Sequence, residues 1–255
     1  MIRVAGAGDL HVGPETAGAY REHLSGLADH ADVFLVAGDL TRHGTVEEGR
    51  VAAGELRDVG VPVVAVLGNH DYHSDAETEI TGVLREAGVT VLEGDGTVLD
   101  CGGTSLGIAG GKGFGGGFEG RCASDFGEPE MKAFVGHTKD FAGRLRTALL
   151  DLDADVVVSL THYAPAADTL EGEPPEIYPF LGSYLLGEAI DAAGADLAVH
   201  GHAHKGTEKG LTSGGVRVRN VALPVIQHAY ALYSLDAPDA EDRRRVRRRE
   251  RVSAW

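Results

Sequence analysis

The 255 residues are 43% hydrophobic and 24% charged, the balance of a globular chain long enough to close a full core. No apolar run approaches the roughly 18 residues of a membrane-spanning helix, so no transmembrane helix is expected. The net charge of −16 repels polyanions and argues against tight binding to long nucleic acid.

Short runs of Val, Ala and Leu, predicted to be buried strands, cover Ile2–Ala7, Val33–Ala37, Val61–Leu67, Val156–Leu160 and Leu197–His200. Helices are predicted between them over Glu15–His30, Val46–Val59, Asp75–Ala87, Met131–Leu150 and Tyr184–Ala193. Val89–Leu92, Thr97–Cys101 and Ser105–Ala109 are close together with glycine-rich turns, which predicts a meander. Val216–Val221 and Tyr230–Leu235 return to strand. Alternating strand and helix favours a largely parallel sheet with helices outside, and the adjacent β runs imply a second sheet. One domain is expected over 1–238, followed by a basic tail over 239–255 whose Arg243–Arg251 run holds seven arginines and one glutamate. With Ile2–Gly8 running straight into the Asp9 motif, no signal peptide is expected. Cys101 and Cys122 lack CxxC spacing, so a reduced cytoplasmic compartment is expected.

Five motifs stand where predicted strands end: Asp9-Leu10-His11, Gly38-Asp39, Gly68-Asn69-His70-Asp71, Thr161-His162 and Gly201-His202-Ala203-His204. Ligands of open α/β sheets bind beyond the carboxyl ends of strands, so the motifs converge on one sheet edge. Taken singly, each is an ordinary turn rich in Gly, Asn and Asp. Together they carry enough oxygen and imidazole to hold two divalent metals side by side, the usual clamp for displacing an ester at phosphorus.

The order D-x-H, GD, GNHD, H, GHxH resembles the signature of the calcineurin-like metallophosphoesterases over residues 9–204. The resemblance implies an α/β/β/α sandwich, two mixed β-sheets face to face with helices outside. It also implies one metal held by Asp9, His11, Asp39 and His204, and another by Asp39, Asn69, His162 and His202, with Asp39 bridging. Imidazoles in such number favour Mn, Fe, Zn or Co over Mg. Water bridging the metals would lose a proton near neutral pH and attack phosphorus in line. His70 would stabilise charge or protonate the leaving oxygen, and Asp71 beside it could orient that imidazole, the alternative being a turn cap.

Arg42, His43 and Lys112 are candidate substrate contacts, Arg being well shaped for a phosphate oxygen. The glycine-dense stretch from Gly110 to Gly120 reads as a mobile loop near the substrate or a plain surface loop. His200, on an apolar strand, is expected to be buried behind the metal ligands. The wording GDLT is similar to phosphodiesterase-like members and leans the reading from monoester towards diester. The expectation is therefore a metal-dependent phosphoesterase acting on a small phosphodiester or phosphomonoester. A nuclease of the same superfamily is the runner-up, suggested by Asp9–Gly13 and opposed by the acidic body. A non-catalytic metal-binding scaffold is disfavoured because no motif residue is missing.

Overall fold

The computed structural model describes residues 1–236, and the basic tail expected over 239–255 lies outside the described residues. Its strands are β1 (Ile2–Ala7), β2 (Val33–Ala37), β3 (Val63–Val66), β4 (Val89–Leu92), β5 (Asp95–Asp100), β6 (Ser105–Gly111), β7 (Gly117–Phe118) and β8 (Arg121–Cys122). They continue with β9 (Val156–Thr161), β10 (Leu197–His200), β11 (Lys209–Leu211), β12 (Arg217–Asn220) and β13 (Ala231–Leu235). One sheet runs β13-β1-β2-β3-β4, the other β11-β12-β10-β9-β6-β5, and β7-β8 form a small hairpin. The inner pairs are parallel, while β13, β11 and β5 join antiparallel at the edges.

Side-chain alternation along the strands builds the layers. Val4, Leu35, Val64 and Val66 of one sheet meet Ile108, Val156, Val158 and Val199 of the other in an inter-sheet core. Their neighbours Ala5, Phe34 and Ala65 face the opposite way, onto Leu27, Leu56, Ile80 and Leu84 of the outer helices. Val157 and Ala198 do the same against Phe141, Leu145 and Ile190. With both faces covered, strands such as β2 and β9 are buried throughout, which is why they read as largely apolar runs. The result is the expected four-layer α/β/β/α sandwich of two mixed sheets.

Two local expectations are corrected. The helix expected over 15–30 breaks into a 3₁₀ turn (Pro14–Thr16) and two short helices, Ala19–His23 and Leu27–His30. Each short helix begins after a glycine at positive φ, Gly18 at 87° and Gly26 at 77°, where a continuous helix cannot pass. The expected meander does not form, because β4 pairs parallel with β3 and only β5 and β6 make a hairpin, in the other sheet. Among the described residues no helix is long and apolar enough to cross a membrane.

Candidate metal centre

All five motifs leave the carboxyl ends of their strands towards one another. Asp9, His11, Asp39 and His204 bring one ligand atom each within 4.8 Å of one another, and Asp39, His162 and His202 form a second such set sharing Asp39. Asn69 joins the second set through its Oδ1, 2.9 Å from His162 Nε2. The turns that achieve this are backbone-specific. Asp9, His11, Asp39 and His202 have φ of 58°, 45°, 51° and 71°, a region that residues with a Cβ seldom enter and that concentrates at functional sites.

Glycines make room for the carboxylates. A Cβ on Gly68 would lie 2.1 Å from Asp39 Oδ1, and one on Gly201 would lie 2.4 Å from Asp9 Oδ2. The Gly of GNHD and the Gly of GHxH are thus explained by close approach of backbone to a buried carboxylate.

Each imidazole is held by its other nitrogen or left open. His162 Nδ1 lies 2.8 Å from the Ala37 carbonyl, which can only accept, so the Nδ1 proton is donated there. His162 Nε2 then turns a lone pair towards Asn69 Oδ1 and towards Asp39 Oδ1, 3.4 Å away. His202 Nε2 similarly donates to the Phe180 carbonyl at 3.1 Å, leaving Nδ1 for the site. His11 Nε2 is 3.8 Å from Asp39 Oδ2, buried and without any hydrogen-bond partner. His204 Nε2 lies 2.8 Å from Asp9 Oδ1, and the His202 N–H donates to both Asp9 oxygens at 3.1 and 3.0 Å.

The charges follow from burial and from these bonds. Burial pulls the His11 imidazole down to about 4 and that of His202 down to about 3, so both are neutral and ligand-ready near pH 7. The hydrogen bond to Asp9 raises His204 above its ordinary value. Burial works against the Asp9 charge, but His204, with His162 and the His202 N–H, holds that carboxyl below its usual range. Burial lifts the carboxyl of Asp39, with Asp9 adding to it. A buried array of carboxylates and imidazoles, with the His11 Nε2 unpartnered, suits a cation better than a proton network.

His70 stands beside this array, its ring centroid 4.5 Å from that of His11. Its Nδ1 donates to the Arg42 carbonyl at 2.7 Å, so Arg42 and not Asp71 orients the ring. Of the two readings of Asp71, the geometry favours the cap over the orienting role. The fully buried Asp71 carboxylate accepts from Leu40 N, Gly68 N, Thr41 N and Thr41 Oγ1, tying the GDLT and GNHD loops together. Thr41 in this role and the Phe180 carbonyl behind His202 were missed in the sequence. The threonine is visible in GDLT, but nothing in that wording shows which carboxylate its hydroxyl meets. Every residue has a carbonyl, so Phe180 carried no signal.

Of the expected substrate contacts, Arg42 is paired with the exposed Glu15. His43 Nδ1 lies 2.9 Å from Glu48 Oε1. The Lys112 ammonium sits among aromatic rings, and burial pulls it below its ordinary value. The glycine-rich stretch is no plain surface loop: Gly113 and 115–118 are buried, and the N–H groups of Gly116 and Gly117 donate to Pro179 and Gly182. His200 is buried, with Nε2 2.8 Å from Thr169 Oγ1.

A family model described as calcineurin-like phosphoesterase matches residues 2–206, most of the chain and all five motifs. The chain belongs to this family. No match was found among curated proteins. The fold is similar to that of phosphopantetheinyl hydrolase from Mycobacterium tuberculosis, with a TM-score of 0.69, 18% identity, and 91% of this chain and 96% of that one covered. It is also similar to TT1561 of Thermus thermophilus, with a TM-score of 0.55, 15% identity, and coverage of 95% and 96%. At such identities these similarities concern the fold alone. This calcineurin-like phosphoesterase family member therefore combines the family's fold with two metal-ligand-like groups that share Asp39.

Proposed function

We propose that this chain is a binuclear-metal-dependent phosphoesterase acting on a small phosphodiester or phosphomonoester. The observation that carries the reading is the shared Asp39, with the partnerless His11 Nε2 on one side and the His162 Nε2 lone pair on the other. Asp9, His11, Asp39 and His204 would hold one ion, and Asp39, Asn69, His162 and His202 the other. The nitrogen-rich donor set suits Mn, Fe, Zn or Co. When bound, the pair supplies Lewis-acid charge for a phosphoryl oxygen and a water acidic enough to ionise near neutral pH.

The chain's own groups do the rest. Ala37 O and Phe180 O fix the orientation of His162 and His202, so that only one nitrogen of each faces the site. Asp71 and Thr41 hold the Asp39 and His70 loops in register. With Nδ1–H committed to the Arg42 carbonyl, His70 has Nε2 free to exchange a proton with the leaving oxygen. The free Cys101 and Cys122 fit a reducing, cytoplasmic compartment.

The test is hydrolysis of bis-p-nitrophenyl phosphate and p-nitrophenyl phosphate by Mn²⁺-supplied protein, with and without chelator. Chelator-sensitive turnover of either ester is expected. Absence of turnover on both, with metal bound, would overturn the enzymatic reading.

A further inference from the structure

Three candidate substrate contacts, Arg42, His43 and Lys112, face the region of the candidate site, and their surroundings differ. Arg42 is paired with Glu15, and His43 with Glu48. Among the described residues no carboxylate comes within ion-pair distance of the Lys112 ammonium, whose hydrogen bond there, to Gly113 O, is long at 3.5 Å. The side chain is nevertheless partly withdrawn from water. Its Nζ lies 4.8 Å from the Tyr72 ring centre, 5.1 Å from Phe114 and 5.4 Å from Tyr163. Aromatic faces compensate only part of the cost of removing an ammonium from water, so the position favours an anion that arrives from outside.

The two carboxylates that act on Lys112 through space, Glu93 and Asp39, are otherwise engaged. Glu93 accepts from the Lys112 backbone N–H at 3.1 Å and lies 3.8 Å from Arg144. Asp39 is shared by both ligand groups. The backbone places Lys112 against the centre: its carbonyl accepts from the N–H groups of His162 and Tyr163, both at 3.1 Å. Tyr72 closes the turn that begins at His70, and the Tyr163 ring is centred 4.4 Å from that of His202. The cation is therefore bracketed by the His70 loop and the His162 loop.

We propose that Lys112 is a specificity-determining residue that receives a phosphoryl oxygen of the substrate, its charge selecting the doubly charged phosphoryl group of a monoester over the singly charged group of a diester. This rests on the phosphoesterase reading above and opposes the diester leaning drawn from the GDLT wording. At pH 7 a phosphomonoester carries a charge of about −1.5 to −2, whereas a diester carries one. A cation in a partly desolvated place interacts about twice as strongly with the dianion. The flexible ammonium, a point charge with three rotatable donors, can meet an oxygen without the planar match that Arg requires.

The experiment is calorimetric titration of Mn²⁺-loaded wild type, Lys112→Met and Lys112→Arg with inorganic phosphate and with dimethyl phosphate at pH 8. Thermal melts and metal content accompany it, and KM and kcat are measured for the two nitrophenyl esters. Wild type is expected to prefer phosphate. Lys112→Met should weaken phosphate by about tenfold or more, the loss of one charge-assisted hydrogen bond, and weaken dimethyl phosphate markedly less. Lys112→Arg should recover most of the binding with metal content unchanged. Equal weakening of both ligands, or no weakening in a folded, metal-replete variant, would overturn the proposal. If wild type hydrolyses neither ester yet binds phosphate through Lys112, the phosphoesterase reading falls and the anion site stands. If turnover is robust and independent of Lys112, the reverse holds.

Discussion

Thr41 gives Asp71 two hydrogen bonds, from its backbone N–H at 2.8 Å and from its hydroxyl at 2.6 Å, and so latches the loop carrying Asp39 to the loop carrying His70. The carboxylate is fully buried, and burial together with the nearby Asp39 raises its carboxyl above the ordinary range. Removing one side of such a contact strands buried donors, at a cost of about 1–3 kcal/mol. Asp71→Ala is expected to lower the melting temperature and weaken metal binding together. Thr41→Val keeps the backbone bond and should cost about 1 kcal/mol. Thermal melts of the two variants check this, and an Asp71→Ala variant of wild-type stability with only turnover lost would return Asp71 to the role of orienting His70.

Asp39 belongs to both ligand groups, so its substitution should be felt twice. Asp39→Asn keeps the shape and removes the negative charge. Both ions should bind more weakly, and activity should fall by orders of magnitude. Equilibrium dialysis of the variant against Mn²⁺ is the check. Wild-type affinity would rule out Asp39 as the shared ligand.

His70 makes its ring contacts with the Arg42 carbonyl and the edge of His11, outside both ligand groups. His70→Asn should therefore retain metal content and stability while kcat drops by about 10²–10⁴. Loss of metal in step with activity would instead make His70 a ligand. Single-turnover kinetics with measured metal occupancy separate the two outcomes.

Gly68→Ala is the sharpest steric test. The added methyl would sit 2.1 Å from Asp39 Oδ1 and 2.3 Å from Asp39 N, and neither can yield without moving the site. The variant should lose metal affinity even where it folds. Gly54→Ala, whose Cβ would meet nothing within 4 Å in the exterior helix Val46–Leu56, should be neutral or slightly stabilising. Metal titrations and thermal melts of the pair check both statements.

Much of the fold was legible because burial on both faces leaves a plain mark. Val33–Ala37 is an unbroken apolar run and Val156–Leu160 is broken only by the buried Ser159, and the polar motifs that follow them stand out against that background. What stayed hidden depends on long-range partners. Val89–Leu92 looks the same whether it joins the neighbouring hairpin or, as found, pairs with Val63–Val66. Asp71 adjoins His70 in sequence, yet both lie in a 3₁₀ turn, where consecutive side chains diverge by about a third of a turn. One therefore faces the site while the other faces the protein interior. The cage around Lys112 draws on Tyr72, Phe114 and Tyr163 from three separate segments, which no local spacing could announce.

The most direct test of the central claim is metal stoichiometry. Protein stripped with chelator, reloaded with Mn²⁺ and desalted would be assayed for metal per chain beside its hydrolysis of the two nitrophenyl esters. Two ions per chain, with turnover rising as the second site fills, is the predicted result. A chain that saturates at one ion or none, or that hydrolyses either ester equally well when stripped, would contradict the account.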